Sequence, residues 1–264
     1  MWSLKRKGII AFTDGVKTVQ DPQVMARIMN FASQSESLIM QHAEDNILSK
    51  GGLINEGEIS TRLGLKGIPF LAEKIIVERD LSFLEEYFCR YHISQISSEK
   101  TVSVIKKAKD EGKIFTTGVS INNLSLNEND IGDFKTFLKL SPPLRTEKDR
   151  QSLVEAINDG TIDVIVSDHK PEDEESKRLT FSQAATGATG VETLLPLSLE
   201  LFHNKSVNLN KLIASITSNP AKILGINKGN LEKGSDADLC IFDINKPWIV
   251  DQNKLKSKSK NTPM

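Results

Sequence analysis

In the stretch Asp163-Val164-Ile165-Val166-Ser167-Asp168-His169-Lys170, a short run of mostly β-branched residues leads directly into a carboxylate and an imidazole. Such a run predicts a buried strand. In barrels and open sheets of parallel strands, reactive groups lie at the carboxyl ends of the strands. Asp168 is therefore a candidate site residue, although a strand followed by a polar turn would give the same pattern.

Two further runs end in the same way. Residues 8–15 read Gly-Ile-Ile-Ala-Phe-Thr-Asp-Gly and lead to Asp14, and residues 37–45 read Ser-Leu-Ile-Met-Gln-His-Ala-Glu-Asp and lead to His42. Oxygen and imidazole groups are ligands that suit zinc or a similar divalent ion. Together the runs predict one shared rim of metal-binding side chains.

Strand-like and helix-like segments alternate along the first part of the chain. Strands are predicted at 8–13, 37–42, 91–97, 113–121 and 163–168, and helices at 22–34, 68–87, 98–111 and 148–159. A parallel crossover needs about a dozen or more residues and usually contains a helix. The alternation therefore predicts an α/β protein, either a barrel or a doubly wound sheet.

The pattern changes after residue 180, where the sequence is rich in helix signals up to Leu224 and then becomes punctuated by glycine. Short strands are predicted at 237–243 and 248–251, after the last βα unit. We therefore expect a main domain over residues 1–225 and a partial β-domain over residues 226–264.

Composition excludes several classes of function. The chain has 264 residues with a net charge of −1, which gives no basic surface for nucleic acid or acidic lipid. Cys89 and Cys240 are far apart, so neither a disulfide scaffold nor a thiolate metal site is expected, and a reducing cytoplasm is the predicted location. No apolar run reaches the roughly 18 residues of a membrane span. A small-molecule substrate is the expected partner.

Ordered sequence blocks over nearly the whole chain carry a family resemblance. They are Gly-Gly-Leu-Ile-Asn-Glu-Gly (51–57), Leu-Gly-Leu-Lys-Gly-Ile-Pro (63–69) with Ala72-Glu73 and Arg79-Asp80, Ser-Pro-Pro-Leu-Arg (141–145), Asp-Gly-Thr-Ile-Asp (159–163), Gly-Ala-Thr-Gly-Val-Glu-Thr (187–193), Asn-Pro-Ala-Lys-Ile-Leu-Gly (219–225) and Ser-Lys-Ser-Lys-Asn-Thr-Pro (257–263). In these blocks the chain resembles the dihydroorotases of the amidohydrolase superfamily, especially the long-chain type found beside aspartate carbamoyltransferase.

The resemblance implies a fold, a cofactor and a reaction. It implies a TIM-like (β/α) barrel of the metal-dependent hydrolase type with a small β-domain, and one or two zinc ions. The implied reaction is the reversible closure of carbamoyl-aspartate to dihydroorotate in pyrimidine biosynthesis. By the same resemblance, His42 and Asp14 correspond to metal-binding residues, and Asp168 corresponds to the catalytic Asp that also touches metal.

Several positions depart from the family's pattern. The usual His-x-His and its neighbouring Arg would lie upstream, because this chain begins at the family's fourth strand, so we expect a partial barrel and a fragment of a longer enzyme. Gln95 stands where the family has a metal-binding His. Ser141 replaces a substrate-contacting Asn, and Glu172 replaces a substrate-facing His and is expected to repel an anionic substrate.

These departures leave three hypotheses. The first is a dihydroorotase-family enzyme with impaired activity and weak or absent zinc. The second is an inactive dihydroorotase-like partner of aspartate carbamoyltransferase. The third is an enzyme similar to hydantoinases or allantoinases, against which the blocks at 51–67 and 257–263 speak. His92, the remaining histidine of the strand at 91–97, is predicted to be a packed or hydrogen-bonded strand residue.

Overall fold

The computed structural model describes residues 1–264 and is built around a five-stranded parallel sheet. In chain order the strands of the whole structure are Ala11–Phe12 (β1), Leu38–Gln41 (β2), Ile54–Asn55 (β3), Gly67–Ile68 (β4), Arg90–Ile96 (β5), Thr116–Ser120 (β6) and Val164–Val166 (β7). The main sheet has the order β1-β2-β5-β6-β7, and β3 and β4 form a separate parallel pair. The prediction that the five strands are parallel neighbours is confirmed.

Eleven α-helices connect and cover these strands. They are Trp2–Lys5 (α1), Pro22–Ser35 (α2), Glu58–Leu63 (α3), Leu71–Phe83 (α4), Glu99–Asp110 (α5), Ile121–Ser125 (α6), Glu147–Asp159 (α7), Glu174–Lys177 (α8), Leu194–His203 (α9), Leu209–Ile216 (α10) and Ser218–Leu224 (α11). The four predicted helices are confirmed as α2, α4, α5 and α7. The helix expected at 68–87 is shorter, because Ile68 pairs in β4 and α4 begins at Leu71.

Local signals explain where these helices begin. Asp21 caps α2, since its Oδ1 accepts hydrogen bonds from the backbone N–H groups of Gln23 (2.7 Å) and Val24 (3.2 Å). Pro22 occupies the first turn, where its missing N–H costs nothing. Ser98 caps α5 in the same way by accepting from the Thr101 N–H at 3.2 Å.

The hydrophobic core lies between the main sheet and the helices. Its largest cluster joins side chains of α2, α4, α5 and α7 to the strands, with Met25, Met29, Val77, Ile93 and Ile105 fully buried. A smaller cluster around Ile54, Leu144 and Phe181 lies beneath the β3–β4 pair. This packing holds the strands rigidly, and it therefore fixes the positions of the residues that follow their carboxyl ends.

The C-terminal region differs from the prediction. No strand follows Val166, so the strands expected at 237–243 and 248–251 are wrong. The physical reason is that residues 236–242 make no backbone hydrogen bond, and a strand requires a paired neighbour. Residues 255–262 instead pack against the main body, with Leu255, Asn261 and Thr262 buried. The division into domains at residue 225 stays a prediction.

None of the helices combines the length and the apolar character needed to cross a lipid bilayer. The longest helix, α2, has 14 residues.

Candidate functional site

A polar cavity of about 510 Å³ opens at the carboxyl ends of the main strands. His42 follows β2, Gln95 lies near the end of β5 and Asp168 follows β7, and all three line this cavity together with Ser141. Four of the 17 lining residues are hydrophobic, so the cavity is suited to a polar ligand. The structure thus brings together four of the six side chains that the sequence nominated.

Asp168 is held in an unusual backbone conformation. Its φ angle is +48°, in the left-handed region that few residues other than glycine adopt. A neighbouring close approach helps to fix this turn, because a Cβ placed on Gly190 would lie 2.0 Å from the Ser167 carbonyl oxygen. Strained backbone of this kind collects at functional sites, where the surrounding structure enforces it.

The carboxyl group of Asp168 is mostly buried and has few partners. Gln95 Nε2 donates a hydrogen bond to Asp168 Oδ1 at 3.0 Å. Burial raises the pKa of Asp168, while hydrogen bonds from Gln95 and Ser120 and the charge of His42 act in the opposite direction. A carboxyl with a raised pKa is better suited to give and take a proton near neutral pH.

His42 and Glu44 form a second pair in the cavity. The His42 Nε2 lies 3.8 Å from Glu44 Oε2, and the Thr18 hydroxyl donates to the His42 carbonyl at 2.7 Å, which fixes the backbone there. Burial alone would raise the pKa of Glu44, but hydrogen bonds from His42 and Ser49 lower it overall. Glu44 is therefore held as a carboxylate beside His42.

His169 is an exposed neighbour of Asp168 with a defined ring orientation. Its Nδ1 accepts hydrogen bonds from the backbone N–H groups of Gly190 (3.1 Å) and Val191 (3.4 Å). With Nδ1 accepting, a neutral ring carries its proton on Nε2, and His169 is one of the residues that line the cavity.

Asp14 and Glu172 lie outside this cavity. Asp14 is exposed and lines a different cavity, because β1 ends at Phe12 and a turn follows, although Gly15 and Val16 reach the candidate site. Glu172 lines an adjoining cavity, and its carboxylate is 3.7 Å from the Lys170 ammonium. The negative charge that was expected to repel an anion is thus set beside a positive one.

His92 is confirmed as a hydrogen-bonded strand residue. Its Nδ1 lies 2.8 Å from the Thr116 hydroxyl, and the side chain is buried. Burial lowers the pKa of His92 to about 4, with a smaller effect from the charge of Lys109. The ring is neutral at pH 7 and takes no part in the cavity.

The residues of this chain do not fit a zinc ion. A zinc site normally has three or four nitrogen, sulfur or carboxylate ligands, and no group of three or more His, Cys, Asp or Glu is arranged to hold a metal. His42 and Asp168 offer only two side chains of the kind that bind zinc. Gln95 turns its amide nitrogen, and not its amide oxygen, towards Asp168. The group next to that carboxylate is therefore a hydrogen-bond donor and not a metal ligand.

Arg145 is a buried residue that supports the site. The sequence analysis identified it only as the last residue of the block at 141–145. Its guanidinium donates to Ser97 Oγ (3.1 Å), Asn55 Oδ1 (2.8 Å) and the Ile68 carbonyl (2.6 Å). These bonds join the end of β5 to β3 and β4. Arg145 therefore holds the wall of the cavity that Ile68 lines.

Asn261 connects the C-terminal segment to the loop behind Asp168. Its Nδ2 donates to the Gly187 carbonyl at 3.0 Å, and its own carbonyl accepts from the Thr189 N–H at 3.2 Å. The same loop contacts the His169 ring through Gly190. The block at 257–263 is therefore far from Asp168 in the sequence, but it supports the loop that lies beside His169.

Comparisons with known proteins agree with this architecture. Relatives include the dihydroorotases of Ehrlichia canis (43% identical over 98% of this chain and 58% of the relative) and Anaplasma phagocytophilum (44% identical over 100% and 59%). The solved L-hydantoinase (dihydropyrimidinase) of Arthrobacter aurescens superposes with a TM-score of 0.86 at 26% identity, over 99% of this chain and 61% of that one.

This chain therefore spans about three fifths of the length of the curated relatives it matches. The sequence pattern of the amidohydrolase family matches residues 5–262, which is nearly every residue described above. On that match, this chain belongs to the amidohydrolase family.

Proposed function

We propose that this chain is a dihydroorotase-type cyclic amidohydrolase, which interconverts carbamoyl-aspartate and dihydroorotate in pyrimidine biosynthesis. The observation that carries the proposal is Asp168, a mostly buried carboxyl at the carboxyl end of β7 that lines a polar cavity and has a raised pKa. Relatives named dihydroorotase at 43–44% identity over nearly the whole chain support the choice of substrate.

Asp168 is suited to the proton transfers of this reaction. In the hydrolytic direction, water adds to the ring amide carbonyl, the C–N bond breaks and the nitrogen takes a proton. Asp168 accepts the proton from water and returns it to the nitrogen. The cavity of about 510 Å³ lies within the range of roughly 300–1,000 Å³ that small-ligand sites occupy.

We expect zinc to bind this chain weakly or not at all. A bound divalent ion would make water a better nucleophile, but His42 and Asp168 alone do not hold zinc firmly. We therefore expect turnover by this chain alone to be slow, and we assign no step to the metal.

The test is a comparison of wild type with Asp168→Asn for both binding and turnover of dihydroorotate. Binding measured by calorimetry should be retained, while the rate of ring opening should fall by about 10²–10⁴-fold, the usual contribution of a general acid–base group. A wild-type chain that neither binds nor opens dihydroorotate, with or without added zinc, would refute the proposal.

A second test addresses the metal. Elemental analysis after dialysis should find little zinc on wild type and more on Gln95→His, because an imidazole there supplies a third ligand beside His42 and Asp168. Gln95→Leu removes the amide without adding a ligand and is the control. Near-stoichiometric zinc on wild type would show that the ligand set described here is incomplete.

The other hypotheses gain no support from the comparisons. The hydantoinase structure is 26% identical, against 43–44% for the dihydroorotases. Association with aspartate carbamoyltransferase and a cytoplasmic location stay predictions.

A further inference from the structure

The side chains after β2 continue the alternation of a strand although the strand has ended. Ala43 is buried in the main core cluster, whereas His42 and Glu44 both line the candidate site. Side chains two positions apart lie on the same face of an extended backbone. Gln41 is the last residue of β2, so contacts other than sheet pairing hold the backbone that follows.

Two side chains from the segment after β1 take the place of a neighbouring strand. The Thr18 hydroxyl donates to the His42 carbonyl at 2.7 Å and accepts from the Glu44 N–H at 3.1 Å. The Gln20 side chain continues the series, because its Nε2 donates to the Glu44 carbonyl at 2.8 Å and its Oε1 accepts from the Asn46 N–H at 3.2 Å. Both backbone groups of Glu44 are thus bound, as they would be beside a paired strand.

The segment at 18–20 is itself fixed by its neighbours. Arg79, on α4, donates from Nη1 to the Gln20 carbonyl at 2.8 Å, and its guanidinium pairs with the buried Asp80. The Val19 N–H donates to Gln41 Oε1 at 3.4 Å. The segment is therefore attached to both α4 and β2, and it can in turn hold the backbone that follows β2.

We propose that Thr18 is a positioning residue of the candidate site, which keeps His42 and Glu44 side by side on the wall of the cavity. The proposal rests on the proposed function for the reaction that this pair serves, but the hydrogen bonds that carry it do not depend on the substrate. Thr18 does not line the cavity, and its hydroxyl proton is donated to the His42 carbonyl. It therefore acts only through the two residues whose backbone it binds.

Three variants separate this role from a general loss of stability. Thr18→Val keeps the shape of the side chain and removes both hydrogen bonds. Thr18→Ser keeps the hydroxyl and should rescue the position. Thr136→Val is the matched control, because the Thr136 hydroxyl also donates to a backbone carbonyl, that of Lys177 at 2.6 Å, but Thr136 lies outside the lining of the cavity.

Hydrogen exchange and the NMR signals of the His42 ring report the position of the pair without any substrate. In Thr18→Val, exchange of the Glu44 N–H should become about five- to tenfold faster, as expected for the loss of one hydrogen bond, and the ring signals should shift. Thr18→Ser and Thr136→Val should both keep the wild-type exchange and ring signals. Wild-type ring signals in Thr18→Val, or a loss of those signals in Thr18→Ser as well, would overturn the proposal.

The rate of dihydroorotate ring opening connects this position with function. We expect Thr18→Val to lower the rate by about 10- to 100-fold, because a displacement of about 1 Å can cost that much, while Thr18→Ser and Thr136→Val stay close to wild type. A wild-type rate in Thr18→Val overturns the positioning role and leaves the proposed function standing. A wild-type chain without turnover, whose His42 signals still shift in Thr18→Val, refutes the proposed function and supports the positioning role.

A measurement on wild type covers the case in which Thr18→Val fails to fold. The Glu44 and Asn46 N–H groups lie outside every strand and helix, yet they should exchange at least about tenfold more slowly than the Val16 N–H, which donates to no backbone group. Equal exchange at Glu44 and Val16 would overturn the proposal.

Discussion

Asp80, which is fully buried, and Asp168, which is partly buried, both have pKa values raised by burial, yet their surroundings differ. Asp80, on α4, accepts hydrogen bonds from the Tyr91 hydroxyl (2.6 Å) and Arg79 Nε (2.8 Å). Its Oδ1 also lies 2.8 Å from Arg79 Nη2. Asp168 accepts from Gln95 and Ser120, and it lines the cavity.

The difference shows that burial and a raised pKa do not by themselves identify a site. Asp80 has no exposed surface, and its oxygens are occupied by fixed partners, so it joins α4 to β5. Asp168 keeps accepting capacity that a substrate can use. The distinguishing property is a carboxyl group that borders a cavity instead of being enclosed by fixed partners.

The largest expected effect is on folding stability. Asp80→Ala should lower the free energy of unfolding by about 3–5 kcal/mol, because the Arg79 charge is left without its buried partner. Asp168→Ala should cost only about 1 kcal/mol, since the Gln95 amide then faces water in the cavity. Urea titration of both variants measures the two values. Equal losses would mean that Asp168 is as structural as Asp80.

An intermediate effect is expected at the turn that carries Asp168. Gly190→Ala should destabilise the protein by about 1–3 kcal/mol, because the new Cβ would overlap the Ser167 carbonyl and force the backbone to shift. Hydrogen exchange should become faster at the Val191 N–H and stay unchanged around Tyr91. Gly57→Ala is the control, since its nearest neighbouring atom would lie at 3.5 Å. Unchanged exchange at Val191 would contradict the prediction.

The smallest expected effect is a pH dependence of stability at Asp168. Its folded pKa is raised, so the ionised group disfavours the folded state, and its contribution is most favourable at low pH and is lost as pH rises through the folded pKa. Asp168→Asn should therefore be slightly more stable than wild type at pH 7. The difference should vanish below the ordinary carboxyl pKa of about 3.9. Urea titrations at several pH values measure it, and a variant that is less stable at pH 7 would reverse the sign.

Sequence patterns predicted the main sheet because its strands are apolar runs that each end in polar residues. His42, Gln95 and Asp168 were placed correctly at one rim, since parallel strands bring their carboxyl ends together. The β3–β4 pair was missed because two-residue strands carry no periodicity. The C-terminal strands were wrong because alternation along 237–243 cannot show whether a neighbouring strand is present.

Side-chain environment was the other limit of sequence reasoning. The position of Asp14 after β1 was predictable, but the direction of the following turn was not. Lys139 is buried, which no pattern indicated, because a buried lysine and a surface lysine look alike in a sequence. The role of Asn261 depends on contacts with residues far away along the chain, which no local pattern reveals.

The bond from Asn261 to Gly187 has a consequence for the order of folding, because it joins residues 74 positions apart. Closing so long a loop lowers the conformational entropy of the chain before the contact can form. Contacts of this kind therefore tend to form late. The parallel strands can assemble while the loop that orients His169 is still loose. A refolding chain should therefore acquire its secondary structure before it acquires the ability to bind a ligand.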